Sequence, residues 1–217
     1  MQFDKIAKPL AKQNPNIYIS VMKQLPLSLD RMIQFSQLIL QFQDVIRAFY
    51  LPRGHKENDV EHSYHLAMMA WYLNSAGELG YDTDRIIKYA LLHDLVEAYV
   101  GDVHAFDEAG RIGKDEREAA AILRFEAEFP DAGEMTPIMI SYMSRSDKEA
   151  EFVYALDKLM PMVMIYLDEG RTWREDGLRL QQIDEVQADK IAISAPVNAL
   201  YQQLKRIFEQ RPELFAS

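Results

Sequence analysis

The stretch YALLHDLVEAYVGD, residues 89–102, places a histidine and two acids inside an apolar run that ends at Gly101. Glu97 follows His93 by four residues and Asp94 by three, so on a helix all three share one flank. Burying an ionised aspartate is unfavourable unless a cation compensates it, and the neighbouring leucines disfavour full exposure. The stretch therefore predicts a helix that holds a buried cation beside His93 and Asp94.

Helical periodicity extends from this stretch over most of the chain. Apolar residues recur at steps of three and four, and they predict helices over about 29–46, 60–76, 83–100, 114–129, 137–144, 147–168, 180–193 and 195–209. No strand pattern stands out. Of the 217 residues, 48% are hydrophobic, which is enough for one large core. We predict an all-α fold, a single compact multi-helix bundle over 26–217, preceded by a helical extension over 1–25.

Composition excludes several functional classes. The chain carries 34 acidic and 24 basic residues, for a net charge of −10, which disfavours binding to a nucleic-acid polymer. It has no cysteine, so a metal site must be built from His, Asp and Glu. No apolar run approaches the length of a membrane span, and no signal peptide is evident. We therefore expect a cytoplasmic protein that does not enter a membrane.

Two further predicted helices also carry a polar, ligand-type side chain that is a candidate for the same site. His62 lies near the start of its own helix, and Asp157 lies in the middle of FVYALDKLMPMVMIYL, residues 152–167. If the three helices converge, two imidazoles and two carboxylates surround one ion. Mixed nitrogen and oxygen ligation suits Mn, Fe, Co, Ni or Zn better than Ca, and four protein ligands leave room for water and a substrate oxygen.

Pro161 adds a local expectation about Asp157. It follows Asp157 by four residues, so its ring clashes with the carbonyl of residue 157 and cannot donate a hydrogen bond to it. We therefore expect a kink or a break in this helix, and we hypothesise that it aims Asp157 at the metal. A straight helix over 150–167 would contradict the hypothesis.

The order His, His-Asp, Asp resembles the HD-domain metal-dependent phosphohydrolases. The segments ENDVEHS (57–63) and HDLVEAYVGD (93–102) look like the motifs of the 5′-deoxynucleotidase subfamily. The resemblance covers roughly residues 45–165. It implies a helical bundle, one divalent ion (Co, Mn, Zn, Ni, Fe or Mg), a homodimer, and hydrolysis of (deoxy)nucleoside 5′-monophosphates by a metal-activated water.

The resemblance also implies a role for each matching residue. The implied metal ligands are His62, His93, Asp94 and Asp157. Glu97 would assist proton transfer, Asp102 would orient the water or the substrate, and Arg47 would bind the phosphate. One position departs from the subfamily pattern, because Ala48 stands where a large aromatic side chain can pack against the sugar and disfavour a 2′-hydroxyl. Selectivity for deoxyribose is therefore not implied.

Two other functions are compatible with the same metal ligands. The substrate could be another phosphate ester, such as a nucleoside triphosphate, a pyrophosphate or a cyclic phosphodiester. Alternatively, the chain could be a non-catalytic helical binding module that the metal stabilises. Activity on a panel of mono-, di- and triphosphates distinguishes the first alternative from a monophosphate hydrolase, and a count of the coordination positions left open at the metal distinguishes the second from an enzyme.

Overall fold

The computed structural model describes residues 28–52 and 54–216. Of the described residues, 28–38 belong to one unit and 39–216 to a second, and the first described helix is Leu29–Gln43 (α1). The predicted extension over 1–25 lies outside the described residues. The predicted division between extension and bundle stays a prediction.

A small hairpin follows α1, and it corrects two expectations. The helix ends at Gln43, short of the predicted residue 46, and the strands Ile46–Tyr50 (β1) and Lys56–Asn58 (β2) pair antiparallel. The segment IRAFY continues the helical apolar period, which hides its β-prone aromatic and branched residues. The hairpin closes through a turn in which Gly54 has a φ of 94°, a conformation that favours glycine.

The helix α2, Asp59–Ala76, begins at a capping box. The Asn58 side chain accepts a hydrogen bond from the Glu61 backbone N–H at 3.0 Å, and the Glu61 carboxylate accepts one from the Asn58 backbone N–H at 3.2 Å. This cap satisfies two backbone N–H groups at the start of the helix that carries His62.

The predicted helix over 83–100 is split, because a turn at 93–96 separates Thr83–Leu92 (α3) from Glu97–Val100 (α4). The Nδ1–H of His93 donates to the Ala90 carbonyl at 2.9 Å, and the Asp94 backbone N–H would use that acceptor in a regular helix. Tighter bonds replace the regular ladder, such as Glu97 N–H to the Asp94 carbonyl at 2.7 Å.

The remaining described helices build the bundle around one central helix, α8. They are Glu108–Arg111 (α5), Lys114–Glu128 (α6), Met135–Met143 (α7), Lys148–Leu167 (α8), Arg171–Glu175 (α9), Leu180–Ala192 (α10), Ala195–Glu209 (α11) and the 3-10 turn Pro212–Leu214. The short helices α5 and α9 were not predicted. α8 contacts α2, α3, α7, α10 and α11, and it buries Phe152, Val153 and Leu156 against them. The all-α fold is confirmed, with one added hairpin.

α8 runs without interruption through Pro161. The predicted break is therefore wrong, and the possible kink stays a prediction. Neighbours on several sides hold the helix together, so the loss of one backbone hydrogen bond at Pro161 does not end it. Within the described part of the chain, no helix combines the length and the apolar character needed to cross a bilayer.

Candidate metal centre and substrate cavity

The structure brings four sequence-predicted residues together at one point. His62 comes from α2, His93 and Asp94 from the turn after α3, and Asp157 from α8. One ligand atom from each side chain lies within 4.8 Å of all the others. Both histidines and Asp157 are buried, so bulk water cannot solvate this concentration of charge.

Hydrogen bonds orient both imidazole rings. His62 Nδ1 lies 3.0 Å from the buried Glu57 carboxylate, and His93 Nδ1 lies 2.9 Å from the Ala90 carbonyl. Each Nδ1 faces an acceptor and therefore carries the hydrogen of the neutral ring, which leaves Nε2 with its lone pair. The two Nε2 atoms point towards the carboxylates, with His62 Nε2 at 2.9 Å from Asp157 Oδ1 and His93 Nε2 at 2.8 Å from Asp94 Oδ2.

These four side chains fit a divalent cation. His93 Nε2 is buried and forms no hydrogen bond, although a carboxylate oxygen is close to it. Burial lowers the pKa of His93, but Asp94 and Asp157 outweigh burial and raise the pKa to about 10. The two carboxylates thus demand a positive charge, which a proton or a divalent ion can supply. Two nitrogen and two oxygen donors suit a first-row transition ion.

Arg47 lies beside this cluster and neutralises part of its charge. Its Nη1 donates to Asp59 at 3.1 Å and to Asp94 at 3.0 Å, and its Nε lies 3.7 Å from Glu57. Its side chain is only 12% exposed. The remaining surface of Arg47 faces the cavity described below, so the predicted phosphate-binding residue is at the cluster but is largely engaged by carboxylates.

Glu97 is a second unusual carboxylate at the centre. It is 2% exposed, its Oε1 accepts a hydrogen bond from Lys114 at 2.9 Å, and its Oε2 is buried without a partner. Burial raises the pKa of Glu97 well above its usual range, and the negative charges of Asp94 and Asp102 add to the effect. Lys114 opposes this shift but does not cancel it, so Glu97 binds a proton more readily than an exposed glutamate does.

Asp59, Asp94 and Glu97 form a further group of possible cation ligands within 4.8 Å. Asp59 is fully buried, and burial raises its pKa to about 6. The arrangement is therefore compatible with more than the one ion that the resemblance implies. Both groups share Asp94, so two ions held there would be neighbours.

A cavity opens from this cluster and changes character along its length. Near the cluster it is lined by Arg47, Ala48, Glu97, Asp102 and Lys158. Farther along α8 and α10 the lining is mainly apolar, with Met162, Ile165, Trp173, Leu178 and Ile183, and Thr172, Asp176 and Gln187 also line it. Asp157 and Ile165 are eight residues apart, about 12 Å along a helix. The cavity thus has a charged end at the cluster and an apolar end about a nucleoside's length away.

Sequence reasoning missed three residues of the site. Glu57 and Asp59 are buried beside His62 and Arg47, but residues 57–59 read as the end of a polar loop, and no role in the site was predicted for either. The only signal was their place in a motif that resembles a known family. Lys114 begins a charged helix that looks solvated in the sequence, yet it contacts the buried Glu97.

Comparisons with known proteins agree with this fold and this centre. The family model of the HD domain matches residues 39–197. The 5′-deoxynucleotidase HDDC2 of Xenopus laevis is 30% identical over 179 residues, which cover 79% of this chain and 87% of that protein. The HDDC2 protein of Danio rerio is 30% identical over 142 residues, covering 64% of this chain and 70% of that protein.

Solved structures show the same fold. The crystal structure of a predicted metal-dependent phosphohydrolase from Magnetospirillum magnetotacticum superposes with a TM-score of 0.74 at 28% identity, covering 87% of this chain and 96% of that chain. The fold and the His-Asp cluster thus define a metal-dependent phosphohydrolase. More particularly, the chain belongs to the HD domain family, whose model matches well over half of its length.

Proposed function

We propose that the chain hydrolyses the phosphomonoester of nucleoside 5′-monophosphates. The observation that carries this proposal is the change in the cavity lining, from the His-Asp cluster and Arg47 at one end to apolar side chains at the other. A nucleoside monophosphate has the same polarity, with a phosphate dianion at one end and a flat, largely apolar base at the other. The relatives named 5′-deoxynucleotidase support the same substrate class.

The site residues divide the chemistry between them. A divalent ion held by His62, His93, Asp94 and Asp157 would lower the pKa of its water and polarise a phosphate oxygen. Arg47 donates hydrogen bonds to the other phosphate oxygens through the side of the guanidinium that faces the cavity.

Glu97 is the proton-transfer residue in this proposal. Lys114 holds Glu97 Oε1, which leaves Oε2 as the atom that exchanges a proton with the water or with the departing 5′-oxygen. Asp102 follows Gly101, lines the same cavity and orients the water or the substrate. Charge stabilisation and positioning supply most of the rate, since uncatalysed phosphomonoester hydrolysis is extremely slow.

Hydrolysis of a substrate panel, followed by chromatography of the nucleotide products and by phosphate release, tests the proposal. The panel contains ribo- and deoxyribonucleoside 5′-mono-, di- and triphosphates, 3′-monophosphates and a cyclic phosphodiester, each assayed with Mn, Co, Ni, Zn, Fe and Mg. We expect the highest kcat/KM for 5′-monophosphates. A preference for triphosphates or cyclic diesters would show that the chain has a different HD-domain activity. A metal-loaded protein that hydrolyses none of these substrates would favour the binding module.

The sugar preference is proposed to be weak because Ala48 leaves space at the cavity wall. Ala48→Trp is expected to lower kcat/KM for ribonucleotides relative to deoxyribonucleotides by about tenfold, since a large ring beside the sugar disfavours a 2′-hydroxyl. The ratio of the two kcat/KM values is the measurement. Ala48→Val, which adds little bulk, should leave the ratio near that of the wild type. An unchanged ratio in Ala48→Trp would show that the sugar does not bind beside residue 48.

We also propose a homodimer, supported by a row of exposed apolar side chains on α2. Tyr64, Met68, Trp71 and Tyr72 recur at helical spacing, and Trp71 is 48% exposed. Exposed apolar rows of this kind often mark protein interfaces. Light scattering should give twice the chain mass for the wild type and the single chain mass for Trp71→Glu. Leu123→Glu, at an exposed apolar residue of α6, is the control. A monomeric wild type would refute the proposal.

A further inference from the structure

Two cations beside the metal centre have no acidic partner among residues 28–52 and 54–216. Lys190 lies on α10 and Arg111 ends α5, and both line the cavity that contains Arg47, Glu97 and Asp157. Their neighbours Lys114 and Lys158 are paired, with Glu97 at 2.9 Å and Asp157 at 2.6 Å respectively. Arg47 is paired as well, so Lys190 and Arg111 are the two cations lining this cavity that no carboxylate of residues 28–52 and 54–216 neutralises.

The surroundings of Lys190 concentrate like charge. Burial lowers the pKa of Lys190 to about 8, and the positive charges of Arg111, Lys158 and Lys114 act in the same direction, while Asp157 opposes them. Lys190 is partly buried, so water screens these repulsions less than it would at an open surface. Lys190, Lys114 and Lys158 are partly buried and Arg111 is exposed beside them, so this concentration of positive charge is unfavourable until an anion joins it.

The position of Lys190 on α10 relates it to the rest of the cavity. Ile183, Gln187 and Lys190 are spaced four and three residues apart, so they share one face of the helix, and all three line the cavity. Ile183 and Lys190 are about 10 Å apart along the helix axis. The cavity-facing side of α10 therefore changes from apolar at Ile183 to charged at Lys190. On α8 the lining changes likewise, from apolar at Ile165 to charged at Asp157.

Arg47 alone offers few free donors for a phosphate dianion. Its Nη1 is shared between Asp59 and Asp94, and its Nε lies near Glu57. Lys190 and Arg111 line this cavity and also a neighbouring one that Arg47 does not line. They can therefore approach the phosphate from a direction that Arg47 does not cover.

We propose that Lys190 and Arg111 form a phosphate-binding subsite that holds the phosphate group of the substrate next to the His-Asp cluster. The proposal deepens the proposed function and rests on it for the identity of the substrate. The ligand class follows from the charges, because a phosphomonoester carries close to two negative charges near neutral pH and can match two cations. The apolar face beyond Lys190 then receives the remainder of the nucleotide.

Direct binding of inorganic phosphate to the metal-loaded protein tests the subsite without requiring catalysis. Lys190→Gln and Arg111→Gln are each expected to weaken phosphate binding by about tenfold, because each removes one charge-assisted hydrogen bond. Lys190→Arg should retain most of the affinity. Lys148→Gln removes one exposed charge at the start of α8, far from the cavity lining, and should leave affinity unchanged.

Kinetics give a second readout on nucleoside 5′-monophosphates. The glutamine variants should raise KM more than they lower kcat, and their affinity for the phosphate-free nucleoside should stay that of the wild type. Their Tm should be unchanged or higher, because a charge is removed from among like charges. Unchanged phosphate affinity in the Lys190→Gln/Arg111→Gln double variant would overturn the subsite.

The two proposals fail in different ways. If the wild type binds phosphate through Lys190 but hydrolyses no nucleoside monophosphate, the subsite stands and the proposed substrate is wrong. If nucleotides are hydrolysed and the glutamine variants bind phosphate and substrate like the wild type, the proposed function stands and the subsite is refuted.

Discussion

Asp157→Asn is expected to lower phosphate release on the order of 1,000-fold, the largest effect of any single substitution in this chain. The amide is neutral and a weaker ligand, so the cluster loses the carboxylate that lies closest to His62. Metal stabilisation of phosphate charge contributes several kcal/mol, and each ~1.4 kcal/mol is a factor of ten in rate. The measurement is kcat/KM for the best substrate of the panel, together with bound metal per chain.

The control for this prediction is Asp189→Asn, which makes the same chemical change at an exposed position of α10. It should retain the metal and the activity of the wild type. The thermal midpoint of Asp157→Asn separates loss of the site from loss of the fold, since removing the charge of one of two crowded carboxylates should not unfold the apoprotein. Activity within tenfold of the wild type would show that Asp157 is not a ligand.

Glu57→Gln is expected to lower the affinity for the metal by about 10- to 100-fold, because Glu57 orients a ligand without being one. Its carboxylate accepts the Nδ1–H of His62 at 3.0 Å, which fixes the ring and makes Nε2 a stronger donor. A neutral amide keeps the size of the side chain but weakens this bond. Activity should therefore fall at low metal concentration and return towards the wild-type kcat as the metal is raised.

Glu61→Gln is the matched control for Glu57→Gln. Glu61 belongs to the same motif, but it is exposed and bonds to the backbone of Asn58, a role that glutamine also fills in a capping box. Its metal dependence should equal that of the wild type. If Glu57→Gln lost activity that no metal concentration restored, Glu57 would act in the reaction itself rather than through His62.

The sequence was most informative where a polar residue interrupts an apolar stretch. His93, Asp94 and Asp157 each stand out in this way. Burying such groups without compensation is unfavourable, so their place in an apolar stretch of the sequence already indicates a bound cation. Glu57 and Asp59 are equally buried but lie in a polar segment, where nothing in the pattern signals burial. Lys190 lies in the ordinary amphipathic segment QADKIA, and only the structure shows that no carboxylate in the described part of the chain pairs with it.

Local competition explains the errors in the secondary structure. The ring of His93 takes the Ala90 carbonyl that the regular ladder requires, so the helix over 83–100 divides at the metal centre. The strand β2 consists of Lys56, Glu57 and Asn58, residues with low β propensity, and its pairing with β1 holds it extended. In both places a specific contact overrides the intrinsic preference of the chain.

The different roles of α8 and α10, one in metal binding and cavity lining and the other in cavity lining alone, bear on how enzymes of this kind acquire new substrates. α8 carries Asp157 and also lines the cavity, so a change there risks the metal together with the selectivity. α10 faces the cavity through Ile183, Gln187 and Lys190, and it supplies none of the four ligand side chains. Divergence of α10 can therefore redirect the enzyme to other phosphate esters while the hydrolytic apparatus is inherited intact.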